Sequence, residues 1–387
     1  MILVWCDIIY MLKLILGGVM KKLYKLLLLV AVVSMAFTSC AKNNDKDNTK
    51  QEEKTEQKTE QKSEEKQEEK KEESSNKEVD REIFVDPQYV KDVIDGKSDV
   101  KDYVLVEATW GEAKDSPDYL KGNGHIKGAI HVNTDSVEVG PVWNLRSPEE
   151  IEKALLAQGI TKDKTVIVYG PDTGATRVAF TYMYAGVEHV KILNGGIKAW
   201  KDKGFETETT ENKPVAVTDF GTKIPAHPEY LISLDQAKDK LENDKNFQLI
   251  SIRSEKEWKG IESGYSYIPK AGEPKGALWG KSGKDNSDMS FYTNPDGTYK
   301  SFDEVKKMWE EQGISTDKEM SFYCGTGWRA TLPWFMAFEN GLNPTIFDGG
   351  WNEWQMHKEL PVQVGDPKDK DVEFTTVDKL PNDKATK

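Results

Sequence analysis

Between residues 83 and 364, apolar and polar positions follow two alternating rhythms. Short β-branched or aromatic runs predict strands at Val104–Val106, Thr165–Tyr169 and Val190–Leu193. Between them, apolar residues recur at helical spacing over Pro148–Ala157 and Arg177–Tyr184. The order then repeats, with strands over Gln248–Ile252, Met320–Tyr323 and Thr345–Phe347, and helices over Phe302–Glu311 and Thr331–Glu339. Strands that alternate with helices predict an α/β fold, each sheet mainly parallel with helices on both faces. In such sheets a ligand sits beyond the C-terminal ends of the strands.

The repetition has a fixed period. Tyr169 and Tyr323 lie 154 positions apart, and the same offset pairs Glu150 with Glu304, Gln158 with Gln312 and Gly159-Ile160 with Gly313-Ile314. It also pairs Gly195-Gly196 with Gly349-Gly350 and Trp200 with Trp354. Ungapped matches at one offset indicate a duplicated unit. The expected organisation is one domain over 82–205, a linker over 206–228, a second domain over 229–365 and a tail over 366–387.

Residues before 82 have a different character. A basic flank at Lys21, Lys22 and Lys25 precedes the apolar run Leu26–Val33, and Phe37-Thr38-Ser39-Cys40 follows. This is the layout of an export signal over 1–39. A cysteine after the small residues resembles a bacterial lipoprotein signal, in which Cys40 would be lipidated. The apolar run is shorter than the roughly 20 residues a membrane span needs. Met20, followed by two lysines, looks like the true start, with residues 1–19 a mis-assigned extension. Residues 40–81 carry Lys and Glu at short intervals with almost no apolar residues, so they cannot build a core and read as a solvated tether. As a coil, forty residues reach about 35 Å. The expected location is the cell envelope, anchored to the membrane by lipid and facing away from the cytoplasm.

Composition narrows the function. The formal net charge of −13 argues against a nucleic-acid partner. Of three cysteines, Cys6 and Cys40 belong to the export region, so the folded body holds Cys324 alone. No internal disulfide or multi-cysteine metal site is possible there, and neither metal nor cofactor is expected. A lone thiol in an exported protein asks for a chemical reason.

That reason lies in Tyr323-Cys324-Gly325-Thr326-Gly327-Trp328-Arg329, between a predicted strand and a predicted helix. Such a loop curls its backbone N–H groups inward as an anion nest, and the helix N-terminus adds partial positive charge. Pro333 falls near the first turn of that helix, where proline is tolerated. Gly325 and Gly327 permit the backbone angles the turn needs. A cysteine at the head of this nest is set up as a nucleophilic thiolate.

Both repeats resemble rhodanese domains. Gly124-His125-Ile126-Lys127-Gly128-Ala129 is similar to the family's Gly-His-Ile-x-Gly-Ala motif. Asn194-Gly195-Gly196 with Trp200, and Asp348-Gly349-Gly350-Trp351 with Trp354, are similar to its closing Gly-Gly motif. The second repeat has Gly272-Glu273-Pro274-Lys275-Gly276-Ala277 where the histidine motif belongs, which points to a structural His125. The resemblance implies a sulfurtransferase in which Cys324 takes sulfur from an anionic donor as a persulfide and passes it to a thiol or cyanide-like acceptor. Cys-x4-Arg is the rhodanese loop length; related phosphatases use Cys-x5-Arg. Thiosulfate is the expected donor, with mercaptopyruvate and a non-enzymatic sulfur-anion or partner-binding lipoprotein as alternatives. The anion and persulfide loop is assigned to Gly325, Thr326, Gly327, Trp328 and Arg329. Arg253 and Arg329 are assigned as donor clamps. Trp328, Trp351 and Trp354 are candidate pocket walls, with core packing favoured for Trp354. Ser251 replaces the acid of the family's Asp-x-Arg motif and puts its ion pair in question. Gly170 stands where the first repeat would need its nucleophile, so that repeat is expected to be inactive and to close one wall of the site. Arg177 is expected at the surface or between domains.

Overall fold

The computed structural model describes residues 80–386. Export signal, Cys40 and nearly all of the tether lie outside the described residues. The first domain runs β1 (Phe84–Val85), α1 (Pro87–Ile94), β2 (Tyr103–Thr109), β3 (His125–Ile126), β4 (Ile130–Asn133), β5 (Glu138–Val139), β6 (Asn144–Leu145), α2 (Pro148–Ala157), β7 (Thr165–Tyr169), α3 (Gly174–Ala185), β8 (His189–Leu193), α4 (Gly196–Asp202) and β9 (Thr207–Glu208). The second runs β10 (Leu231–Ile232), α5 (Leu234–Asn243), β11 (Phe247–Ser251), α6 (Glu255–Trp258), β12 (Glu273–Pro274), β13 (Leu278–Trp279), α7 (Phe302–Gln312), β14 (Glu319–Tyr323), α8 (Trp328–Glu339), β15 (Thr345–Phe347), α9 (Gly350–Trp354), β16 (Pro361–Val364) and β17 (Glu373–Thr376).

Each domain holds a five-stranded parallel sheet, and the strand orders correspond. They are β1-β8-β7-β2-β4 and β10-β15-β14-β11-β13. The central strands β7 and β2 are buried along most of their length, as parallel strands covered on both faces must be. Local signals place the helices. Ser147 and Ser301, at the repeat offset, each close a reciprocal capping box with Glu150 and Glu304 and so start α2 and α7. Such a cap contributes about 1 kcal/mol.

The two domains share a core. Helices α3 and α8 pack against each other, and the repeat-equivalent pair Phe180 and Trp334 meets across the contact. The Phe180 and Trp334 rings meet edge-on with centroids 4.9 Å apart. The Thr331 hydroxyl pairs with that of Thr176 at 2.7 Å. Arg81 of the first domain donates to the carbonyls of Phe338 and Leu342 at the end of α8, at 2.6 and 2.9 Å. Pro333 is the sixth residue of α8, inside the helix rather than in its first turn.

Two boundaries differ from the sequence expectation. Residues 206–228 are not a free linker. They contribute β9, Val217 donates to the Leu156 carbonyl, and Phe220 is fully buried. The tail is likewise part of the second domain. It adds β17 to an antiparallel sheet with β12 and β16, then runs beside residues 263–269, where Ser263 and Thr386 exchange backbone bonds with Lys384 and Tyr265.

Candidate active site

Cys324 follows β14, the middle strand of its sheet, and is fully buried. Its loop is fixed from below by the first turn of α9. Trp351 N–H donates to the Cys324 carbonyl at 2.9 Å, and Asn352 N–H to the Gly325 carbonyl at 3.0 Å. This explains the Gly-Gly motif. Gly350 has φ +53°, and a Cβ there would collide with the Cys324 carbonyl oxygen. Two of the loop's carbonyls are thus held by α9. Gly327, at φ +91°, is the N-cap of α8, and no side chain caps that helix. The twelve-residue helix therefore presents its positive end beside the cysteine.

Behind the loop lies a buried charge cluster. Glu257 accepts two bonds from Arg329, at 2.8 and 2.9 Å, and one from Arg253 Nε at 3.1 Å. Burial alone would raise the Glu257 carboxyl, but the two guanidiniums outweigh it and hold it well below the usual range. Arg253 also donates to Glu273 Oε1 at 2.8 Å and to the carbonyls of Gly272 and Ser263. Glu273 accepts from the Tyr323 hydroxyl, which ties the end of β14 to the cluster. Burial pushes Glu273 up to about 7 against the pull of Arg253.

This geometry corrects several expectations. Arg253 is fully buried, and every one of its nitrogens has a protein partner, so it is a brace rather than a donor clamp. Its ion pairs survive the loss of an acid at Ser251, because Glu273, standing in the histidine's place, supplies one. Arg329 lines the cavity, yet its terminal nitrogens are held by Glu257, by Ser282 at 3.2 Å and by the Tyr265 hydroxyl at 3.3 Å. Of the three Arg329 nitrogens, Nε is the one buried without a partner. Trp351 is a core residue, not a pocket wall. It is fully buried, donates to the Lys270 carbonyl at 2.8 Å and lies 5.5 Å from Arg253. Trp354 is buried as favoured, and His125 is buried with Nδ1 2.6 Å from the Tyr119 carbonyl.

The cavity beside the loop measures about 380 Å³. Thr326, Trp328 and Arg329 line it from the loop, and Tyr265 and Tyr267 from the segment after α6. The first domain closes the opposite wall with Trp110, Glu138 and Trp143. Glu138 accepts from Trp328 Nε1 at 2.7 Å and from Arg177 Nε at 3.1 Å. Burial raises its carboxyl to about 7, with Arg177 opposing. Arg177 is wholly buried between the domains, not at the surface, and reaches Asp348 at 2.5 Å. Sequence reasoning missed Glu138, Trp110, Trp143, Tyr265 and Tyr267. One signal was readable for Glu257: the Ser254-x-x-Glu257 capping pattern. The aromatics stand in loops outside any strand or helix rhythm, and nothing local marks Glu138.

A family model described as the rhodanese-like domain matches residues 86–203 and 233–357. Thiosulfate sulfurtransferase YnjE of Escherichia coli (strain K12) is 41% identical over 292 residues, spanning 74% of this chain and 66% of that protein. A putative thiosulfate sulfurtransferase of Haloferax volcanii is 30% identical over 292 residues, 69% of this chain and 99% of that one. The crystal structure of YnjE superposes with a TM-score of 0.69 at 40% identity, over 73% of this chain and 68% of that one. Wild-type EanB superposes at 0.70 and 36% identity, over 74% and 70%. EanB is also known with ergothioneine in a persulfide state. The anaerobic ergothioneine biosynthesis enzyme of Chlorobium limicola, with the same TM-score and identity, is known with trimethyl histidine.

Proposed function

We propose, from the premise that this chain belongs to the rhodanese-like family and is a sulfurtransferase, that Cys324 carries sulfane sulfur from thiosulfate or a related anionic donor to a thiophilic acceptor. The Cys324 thiolate attacks the outer sulfur of the donor. The donor's S–S bond breaks, its electron pair leaves with sulfite, and the enzyme keeps a persulfide. The acceptor's nucleophile then attacks the terminal sulfur, and the pair returns to Cys324.

The observation that carries this reading is the loop itself. A buried thiol heads a turn whose carbonyls are tied to α9 and whose N–H side meets an uncapped helix end. Preorganised dipoles of this kind stabilise negative charge that develops on the sulfur during transfer. Arg329 Nε adds one further N–H for the donor's oxygens. Single-turnover mixing with thiosulfate, followed by intact mass, should show the gain of one sulfur atom on Cys324. A gain with mercaptopyruvate and none with thiosulfate would transfer the donor assignment.

The envelope location is part of the same proposal. A lipid on Cys40 and the charged tether would hold both domains off the membrane surface. Cys40→Ala should move the protein from the membrane to the soluble fraction or leave it unprocessed. Membrane retention with a cleaved N-terminus would refute the anchor.

A further inference from the structure

We propose that Arg177, a residue of the first domain, is a positioning residue for sulfur transfer and holds the second half of the Cys324 loop in its reactive curl. This role rests on the reading of Cys324 as a sulfur carrier and adds to it a group that touches no substrate.

Within the second domain, backbone support for the loop from α9 ends early, at the carbonyls of Cys324 and Gly325. Gly327 and Trp328, where the loop enters α8, meet the first domain. A Cβ on Gly327 would stand 2.8 Å from Arg177 Nη1 and 3.0 Å from Asp348 Oδ1, so the guanidinium lies directly against the loop backbone. Glycine at 327 therefore answers a close approach as well as a positive φ. A Cβ on Gly174, the first residue of α3, would stand 3.2 Å from the Trp328 ring. The Trp328 indole N–H is held by both Glu138 oxygens, at 2.7 and 2.9 Å.

Arg177 is the common partner of these groups. Each of its three guanidinium nitrogens has a different acceptor: Nε the Glu138 carboxylate at 3.1 Å, Nη1 Asp348 at 2.5 Å and Nη2 the Trp143 carbonyl at 3.1 Å. Glu138 passes the constraint to Trp328. Asp348 passes it to Gly349-Gly350, where Gly350 lies against the Cys324 carbonyl. The other Asp348 oxygen takes the Leu145 N–H at 2.7 Å. Asn352, whose backbone N–H holds the Gly325 carbonyl, donates its side chain to the Pro141 and Val142 carbonyls at 3.0 and 3.1 Å. One guanidinium thus ties together the β5–β6 hairpin, the loop and the turn beneath it. A lysine carries the same charge on one nitrogen and lacks the planar fork that makes these three bonds. Arg177 is wholly buried and does not line the Cys324 cavity, so it meets neither donor nor acceptor. At the repeat offset its counterpart is Thr331, so the brace runs one way, from the first domain to the loop of the second.

A second cross-domain arginine supplies the control. Arg81 reaches the carbonyls of Phe338 and Leu342 and the Asn343 side chain, at the end of α8 away from the loop. The test compares full-length Arg177→Lys and Arg81→Met with wild type, each below its unfolding temperature. Single-turnover persulfide formation at saturating thiosulfate should fall about 100-fold in Arg177→Lys, the cost of misplacing the nucleophile by about 1 Å. The thiosulfate concentration for half-maximal rate should change by less than about threefold, since no substrate contact is removed. Arg81→Met should lower thermal stability and leave both constants unchanged. An Arg177→Lys enzyme as fast as wild type, or an Arg81→Met enzyme equally slow, would overturn the proposal. Amide hydrogen exchange reads the loop without any donor. Arg177→Lys should speed exchange over residues 325–329 about tenfold, the loss of one charged hydrogen bond, and Arg81→Met should not. Unchanged exchange in Arg177→Lys overturns the proposal even if the rate falls. Asp348→Asn, isosteric and aimed at the same tie, should shift rate and exchange in the same direction, and decides the matter where the lysine variant does not fold. If wild-type enzyme takes no sulfur from thiosulfate, the donor reading fails, and the exchange contrast alone decides for or against Arg177.

Discussion

At the repeat offset, the loop Gly170–Ala175 after β7 and the loop Cys324–Arg329 after β14 occupy equivalent places, yet they treat their anion nests in opposite ways. In the first domain the chain fills its own nest. The Asp172 carboxylate accepts from the Gly174 N–H at 2.8 Å, at the start of α3. Gly170 has no room for a side chain, because a Cβ would run into the Ala108 carbonyl oxygen. In the second domain the first residue is Cys324, and no side chain caps α8. The supporting charges differ as well. The first domain keeps an acid on its strand, Glu107, and pairs it with His131 at 2.6 Å. The second has Ser251 at the matching strand position and places its acids at Glu257 and Glu273, against two buried arginines. One copy thus became a self-satisfied turn and a wall. The other kept an unsatisfied loop, and buried ion pairs brace it.

The comparison is broken most directly by exchanging the nucleophile. Cys324→Ser should abolish sulfur transfer with the fold intact, since serine is nearly isosteric and not ionised at neutral pH. Adding Gly170→Cys to that variant should restore nothing, because the new side chain has no room against the Ala108 carbonyl and the Ala175 methyl. Recovered turnover in the double variant would mean that the two loops are interchangeable. Removal of the first domain comes next. Residues 225–387 alone would expose Trp334, Phe335 and the rest of the shared core, and would lose Glu138, Trp110 and Trp143 from the cavity. The expected result is an insoluble or inactive fragment, and a soluble, fully active one would reduce the first domain to an appendage.

Smaller effects test the brace and the wall. Glu257→Gln leaves Arg253 and Arg329 buried with half their compensation, and breaking a buried pair in this way costs about 3–5 kcal/mol. Chemical denaturation would measure it; a loss below about 1 kcal/mol would mean the cluster is not the loop's support. The smallest effect is a pH dependence. The Glu138 carboxyl is raised from 4.5 to about 7 by burial. The folded state therefore holds a proton that the unfolded state has released between those values, and Glu138 stabilises less as pH rises through that window. Glu138→Gln should flatten the fall in stability from pH 4.5 to 7. Glu273 has the same sign and remains in the variant, so a residual slope is expected. A variant whose slope matches wild type would show that Glu138 does not titrate there.

Much of this was legible in the chain. The strand and helix rhythm located nearly every central element, and α2, β7 and β15 fall on the expected residues. The 154-residue offset predicted two domains whose sheets have corresponding strand orders. Cys324 after a strand and before a helix was visible because strand, glycine turn and helix start are all encoded within a dozen residues. Those properties depend on neighbours in sequence. The partners of a buried charge do not. Arg253 reads as a free clamp until Glu257 and Glu273 are seen on either side of it, and Trp351 reads as a wall until it is found beneath Gly272. Glu138, Trp110 and Trp143 lie more than 180 residues from Cys324 and carry no local signal for the site. They reach the cavity only because α3 packs on α8, a contact that apolar burial drives and that sets both the cavity's shape and its charge.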